Sequence, residues 1–174
     1  MRLSRLCVKK ESWGRFGAKA CVVLVALWMA GAAFAGRYRI GIDPQQEKCL
    51  PGYTVFLVDL KDRALERGAV YAFRARGLSP FYADGTRMVK VLAGVPGDEV
   101  AIDAGQRIKV NGAEVGKGLA LAAKLQQPES RFYGSGRLDA GHYWFMGKSA
   151  LSFDSRYWGT VRDEQIIGRA YPLF

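Results

Sequence analysis

The chain has 174 residues, 26 Lys and Arg against 16 Asp and Glu for a net charge of +10, one histidine and three cysteines. That length suits one domain with an appendage, and one histidine with so few cysteines excludes an ordinary zinc centre, so no metal and no cofactor is expected. Six basic residues against one acidic residue fall before position 20, half of the net charge, and the body has no basic stripe with interleaved aromatics, which argues against nucleic acid as a partner.

The tail, residues 1–19, runs into an uncharged apolar stretch, residues 20–36, from Ala20-Cys21-Val22 to Phe34-Ala35-Gly36. A basic flank before such a stretch points to a lipid bilayer, with the flank cytoplasmic and everything after Gly36 exported. Two readings stay open. Gly31-Ala32-Ala33-Phe34-Ala35 offers an Ala-x-Ala-like cut site, as in a secretory signal peptide. The stretch also meets the lower length limit of a retained membrane helix, and the single-pass anchor is the preferred expectation. Cys7 then lies on the cytoplasmic side, Cys21 in the apolar stretch, and Cys49 alone in the exported body. A lone thiol in an oxidising compartment is unusual, unless it is a buried small hydrophobe or an intermolecular bridge.

Residues 37–46 read as a polar connector. Strands are expected at 52–59 and 69–76, separated by a charged turn at 61–68 that Gly68 closes. A loop over 77–87 contains Pro80 and Asp84-Gly85. The stretch Met88-Val89-Lys90-Val91-Leu92-Ala93 follows, ending in Gly94-Val95-Pro96-Gly97-Asp98. Residues 100–110 form a hairpin, and Asn111-Gly112 is a strong two-residue turn signal before a short strand at 113–115. Residues 116–136 are irregular, with a short helix over 119–125 and loop signals at Pro128, Gly134 and Gly136. A strand over 141–147, a polar-aromatic turn over 152–159 and a last strand over 165–172 complete a mostly β, antiparallel domain behind one N-terminal helix.

In an alternating strand, Lys90 shares a face with Met88 and Leu92 while Val89 and Val91 share the other. A lysine held among apolar neighbours loses hydration that favours its ammonium, which makes Lys90 a candidate general base. Alone, such a residue reads more readily as an edge-strand lysine that snorkels to water. His142 starts a strand beside Gly141 and reads as a surface or hydrogen-bonded histidine. No glycine-rich phosphate loop is present. What remains is a nucleophile paired with a lysine.

Met88 to Val100 resembles the lysine box of type I signal peptidases, in which a lysine precedes a Gly-x-Pro-Gly-Asp turn. Gln106 to Gly112 resembles the Asn-Gly hairpin that follows it, and the segments Gly141–Gly147 and Ser152–Gly159 resemble the last two parts of the signature. Order and spacing agree from about residue 48 to the end. Lys48-Cys49-Leu50-Pro51-Gly52-Tyr53 stands where the family places its serine nucleophile. It is most similar to the Ser-(Leu/Ile)-Pro motif of the TraF-type plasmid-transfer peptidases, with Cys49 in place of serine. Two further departures are Gly147-Lys148-Ser149-Ala150, where housekeeping enzymes have Gly-Asp-Asn, and Glu47, where they often supply an oxyanion-binding hydroxyl. An ionised Glu47 cannot donate, so the oxyanion would depend on backbone N–H groups, that of Cys49 included.

The resemblance implies an endopeptidase of the inner membrane with residues 37–174 in the periplasm. It would process, and in the TraF type also cyclise, a pilin-like exported precursor beside the conjugation machinery. Cys49 becomes the candidate nucleophile and Lys90 its base. Asp154 would orient Lys90 or the local loop, or else simply pair with Arg156. Ser152 would offer a hydroxyl to the lysine, or serve as a turn residue, and Arg156 reads as structural. A general signal peptidase and an inactive pilus-assembly scaffold are the alternatives. Retention of Lys90 argues against the scaffold.

Overall fold

The computed structural model describes residues 12–174, so Cys7 and the tail charges at Arg2, Arg5, Lys9, Lys10 and Glu11 lie outside the described residues. It divides into two compact units, one ending at Arg37 and one spanning Tyr38–Phe174.

The first unit holds helix α1, Trp13–Arg37, which begins within the expected tail and ends one residue past the apolar stretch. Its 25 residues rise about 37 Å at 1.5 Å each, and it is long and apolar enough to cross a membrane.

The second unit is built from two antiparallel sheets. Strands β1 (Tyr38–Ile42), β2 (Val55–Asp59), β3 (Val70–Arg74) and β4 (Arg87–Gly94) open the chain order. Strands β5 (Glu99–Ile102), β6 (Arg107–Val110), β7 (Ala113–Lys117) and β8 (Gly134–Arg137) form a four-stranded sheet in the order β7-β6-β5-β8. Strands β9 (His142–Met146), β10 (Val161–Arg162) and β11 (Ile166–Pro172) return to the larger sheet, whose order is β1-β2-β11-β3-β4-β9-β10. A one-turn helix, α2 (Ser155–Trp158), links β9 to β10.

The expected β class holds, and three local expectations do not. Residues 38–42 are a strand and not a connector: β1 pairs with β2 over the full register from Tyr38↔Asp59 to Ile42↔Val55. Residues 134–137 pair with β5 despite their two glycines. This ladder bonds backbone to backbone and needs no side-chain pattern to form, so sequence alternation cannot reveal it. Residues 119–125 form turns instead of a helix. The Asn111-Gly112 turn does form, with φ of 50° and 80°, the doubly positive geometry that a tight hairpin requires.

Three apolar clusters fix the frame. Phe73, Leu92 and Phe145 pack between the central strands with Tyr71, whose ring meets that of Phe145 edge-on. Val100, Ile102, Ile108 and Trp144 join the small sheet to β9. Leu50, immediately after Cys49, is buried with Phe56, Val58, Ala72 and Ala170 on the other face. That anchor fixes the segment carrying the thiol against β2.

Candidate active site

Strand β4 alternates as its sequence predicts: Met88, Lys90 and Leu92 are buried, and Val89 and Val91 pack partly buried on the opposite face. Lys90 is 2% exposed, so its side chain does not snorkel to water. The Lys90 Nζ donates to Ser152 Oγ at 2.8 Å, and Ser152 is itself 1% exposed.

Ser152 is positioned by what surrounds it. A Cβ on Gly147 would collide with the Ser152 hydroxyl and stand 3.0 Å from the Cys49 carbonyl oxygen, so only glycine fits there. The next two N–H groups close the loop onto the Cys49 segment, with Lys148 N–H donating to the Cys49 carbonyl at 2.8 Å and Ser149 N–H at 3.4 Å. Two of the residues that depart from the Gly-Asp-Asn pattern thus hold Cys49 through their backbone, and Ser149 Oγ also accepts from the Leu151 N–H at 3.2 Å.

Asp154 is fully buried and caps α2. Its Oδ2 accepts from Gly147 N–H at 2.9 Å and from Arg156 Nη2 at 3.0 Å, and its Oδ1 accepts from Arg156 Nε at 2.8 Å. The carboxylate has no hydrogen bond to Lys90 among the described residues. Asp154 thus holds the loop through the Gly147 N–H and pairs with Arg156 at the same time, so both contacts expected of it are present. Arg156 completes the brace by donating from Nη1 to the Gly118 carbonyl at 3.0 Å. These two residues fix the loop of Gly147 and Ser152, and the loop in turn fixes Lys90.

Cys49 and Lys90 line one cavity of about 350 Å³, together with Ile42, Gln45, Tyr82, Met88 and Phe153. A second cavity of about 270 Å³ shares Gln45, Cys49, Tyr82 and Phe153 and extends past Glu47 to Leu121 and Leu151. The thiol therefore stands where two recesses meet. Its Sγ bonds Gln45 Oε1 at 3.9 Å, and no Sγ–Nζ bond joins it to Lys90 among the described residues. Catalytic hydrogen bonds are often long without substrate and tighten when it binds. Phe153 stacks between Tyr82 and Tyr157, with centroids 5.7 and 6.0 Å away and interplanar angles of 19° and 17°, and so walls the site.

Two strand edges face the first cavity. β9 pairs with β4 only from Val91 to Gly94, leaving Arg87–Lys90 unpaired on that side. Ile40 to Ile42 of the edge strand β1 line the same space. Exposed strand edges of this kind accept an extended peptide by main-chain hydrogen bonds.

The turn after β4 is held by Asp98. Burial pushes its carboxyl up, but the N–H of Val95, the Asn111 amide and the Arg67 guanidinium outweigh that and hold it below the ordinary carboxylate range. Arg67 Nη2 lies 2.7 and 2.6 Å from the two Asp98 oxygens. His142 Nδ1 is 2.9 Å from Thr160 Oγ1, well outside the thiol's surroundings and consistent with a hydrogen-bonded strand histidine. Among the described residues no cluster of His, Cys, Asp and Glu could hold a metal ion.

Sequence reasoning did not single out Gln45 or Tyr82. Asp43-Pro44-Gln45 carries a readable turn signal, since Asp43 Oδ1 accepts from the Gln45 N–H at 3.0 Å. Nothing in the sequence says that this turn brings an amide to the thiol.

Residues 13–174 match the family described as signal peptidase, peptidase S26. A probable signal peptidase I-2 of Synechocystis is 30% identical over 110 residues, 63% of this chain and 48% of that protein. The conjugal transfer protein TraF of Agrobacterium fabrum is 25% identical over 178 residues, covering 96% of this chain and 98% of that one. The chain thus spans about half the length of the first relative and nearly all of the second. A crystal structure of a signal peptidase I from Enterococcus faecalis aligns with a TM-score of 0.40 at 23% identity, over 62% of this chain and 97% of that one.

Proposed function

Because the chain belongs to the signal peptidase family, peptidase S26, we propose that it is a membrane-anchored endopeptidase working through a Cys49–Lys90 dyad. Its substrate is an exported, pilin-like precursor of conjugative transfer. Residues 1–19, the first turns of α1 included, stay in the cytoplasm, residues 20–36 of α1 span the inner membrane, and the β body works in the periplasm. The end-to-end likeness to a conjugal transfer protein supports the transfer reading over a general signal peptidase, of which the chain matches only part.

The observation that carries the reading is the buried lysine: Lys90, 2% exposed and bonded to Ser152 Oγ at 2.8 Å, lines the same cavity as Cys49. Burying an amine in an apolar strand costs free energy, which a catalytic role explains and a structural one does not.

The steps follow from these groups. An extended precursor pairs with the open edges of β4 and β1. Lys90 takes the thiol proton, Sγ forms a bond to the scissile carbonyl carbon, and the carbonyl electron pair moves onto oxygen. That pair returns, the C–N bond breaks, and the departing amine takes the proton from Lys90. A thioester to Cys49 remains. Water or an amine then attacks it, giving a proton to Lys90, and the thiolate leaves and is reprotonated by the same group. Ser152 accepts one amine hydrogen throughout, leaving the Nζ lone pair free for the thiol.

The test is precursor processing in cells. Lys90→Arg keeps the charge, but its guanidinium does not deprotonate near neutral pH. Lys90→Arg and Cys49→Ala are expected to accumulate full-length precursor while remaining folded in the membrane fraction. Normal processing by either variant overturns the dyad.

A further inference from the structure

Stabilising the oxyanion is the step for which the sequence supplies no side chain. Glu47 is two residues before Cys49, where an ionised carboxylate can only accept. The Cys49 N–H donates to no acceptor among the described residues and is one available donor. The structure places an amide beside the thiol. Gln45 Oε1 accepts from Cys49 Sγ at 3.9 Å, Gln45 Nε2 donates to the Tyr82 hydroxyl at 3.3 Å, and the Gln45 N–H is tied to Asp43 Oδ1 at 3.0 Å. Both cavities that meet at Cys49 have Gln45 and Tyr82 in their walls.

This arrangement works in two orientations. A half-turn of the amide exchanges Oε1 for the NH₂ group, and a tyrosine hydroxyl accepts from one or donates to the other equally well. With Cys49 protonated, Oε1 faces the thiol. Once Sγ has attacked, the negative charge lies on the former carbonyl oxygen, and the NH₂ end faces it. Tyr82 O–H then donates to Oε1. The amide changes partners without leaving a polar group unpaired, and the turn at Asp43 keeps its backbone fixed.

We propose that Gln45 is a catalytic residue that donates a side-chain N–H to the oxyanion, beside the Cys49 N–H, with Tyr82 as its positioning partner. The assignment rests on Cys49 being the nucleophile.

The experiment uses the full chain in detergent micelles and an internally quenched peptide containing an Ala-x-Ala site. Gln45→Leu keeps the approximate size and removes the donor; Gln45→Glu keeps the shape and does the same. Removing one oxyanion donor is worth about 100- to 1,000-fold in kcat, and both variants are expected in that range with KM unchanged. Alkylation of Cys49 by iodoacetamide forms no oxyanion, so its rate in the uncharged Gln45→Leu variant is expected to match the parent, whereas the carboxylate of Gln45→Glu itself disfavours the thiolate and that variant is read by kcat alone. Tyr82→Phe leaves the amide able to donate but unanchored, and is expected to show a smaller kcat loss. Parent-like kcat in Gln45→Leu overturns the assignment. So does a loss of alkylation in step with turnover, which places Gln45 in service of the thiol alone. Continued cleavage by Cys49→Ala is a separate result and overturns the nucleophile reading itself.

Discussion

Lys90 and Ser152 lie 62 residues apart in sequence and meet through a 2.8 Å hydrogen bond, the two residues being 2% and 1% exposed. β4 brings the lysine and the loop after β9 brings the serine. Neither can relax into solvent, so the position of the amine depends on the loop that carries Ser152.

Removal of that hydroxyl gives the first prediction. Ser152→Ala leaves Nζ with one fewer partner in a buried site, an unmade bond costing about 1–3 kcal/mol. The amine then loses its aim. We expect precursor cleavage to fall by about 10- to 100-fold, less than the roughly 100- to 10,000-fold that a positioned proton-transfer group itself supplies, because the amine is misplaced and not removed. Single-turnover kinetics in detergent measure it, with thermal unfolding as control. An unchanged kcat would mean that Lys90 needs no such support.

Asp154 and Arg156 supply the second. They are 0% and 2% exposed at the side chain and bonded at 2.8 Å. Removing one partner strands the other charge in the interior, at about 3–5 kcal/mol. Asp154→Ala also frees the Gly147 N–H. The variant is expected to unfold at a clearly lower temperature and to lose cleavage with it. Arg156→Lys keeps a charge without the fork that meets both carboxylate oxygens, and a smaller loss is expected. If Asp154→Ala keeps the parent's melting temperature but loses activity, the carboxylate acts on Lys90 after all.

What the sequence could reveal follows from the same contacts. The alternation of β4 places Lys90 among apolar neighbours, and the Asn111-Gly112 turn is written in two residues, so both are legible. β1 and β8 were not, because their ladders use backbone groups and their side chains are mostly exposed. Cys49 and Lys90 stand out by residue type and context. Gln45 and Tyr82 do not, since an amide and a phenol are ordinary surface residues until the fold sets them beside a thiol. That Asp154 bonds both the Gly147 N–H and Arg156 likewise needed coordinates, because in sequence it lies two residues from Ser152 and two from Arg156.

The third prediction concerns acid. Asp98 is held below its ordinary value by Val95, Asn111 and Arg67 against the opposing effect of burial. Asp103, in the β5–β6 turn, is held at about 2, first by the Arg107 N–H and then, against burial, by Lys109 and Arg107. A carboxyl depressed in the folded state stabilises the fold above its unfolded pKa, and that contribution is lost as pH falls through the folded value. Stability is therefore expected to hold down to about pH 4 and then to decline toward about pH 2, the value at which Asp103 is held. Melting temperatures of parent and Asp98→Asn across that range test it. The variant is expected to start lower and to decline less, and parallel curves would show that Asp98 contributes nothing through its charge.

The last prediction concerns the bond that Cys49 would form as the proposed nucleophile. Its acyl-enzyme would be a thioester, whereas a serine gives an oxygen ester, and thioesters prefer amines over water far more than oxygen esters do. A second recess, walled by Leu121, Leu125 and Leu151 together with Glu47 and Lys124, also opens at the thiol. An amine held there would meet the acyl group at an effective concentration that bound geometry raises by orders of magnitude. The mature pilin-like product is therefore expected to be a ring, joined from its own N-terminal amine to the carbonyl released by cleavage. Its mass is then one water below that of the linear peptide of the same residues. Mass spectrometry of the mature subunit reads this directly, and hydroxylamine added during turnover is expected to divert the acyl group into a hydroxamate. Under Cys49→Ser the hydroxamate share is expected to fall, because the ester yields less readily to the amine. A linear product with a free carboxylate, and no hydroxamate from the parent enzyme, would show that water alone resolves the thioester.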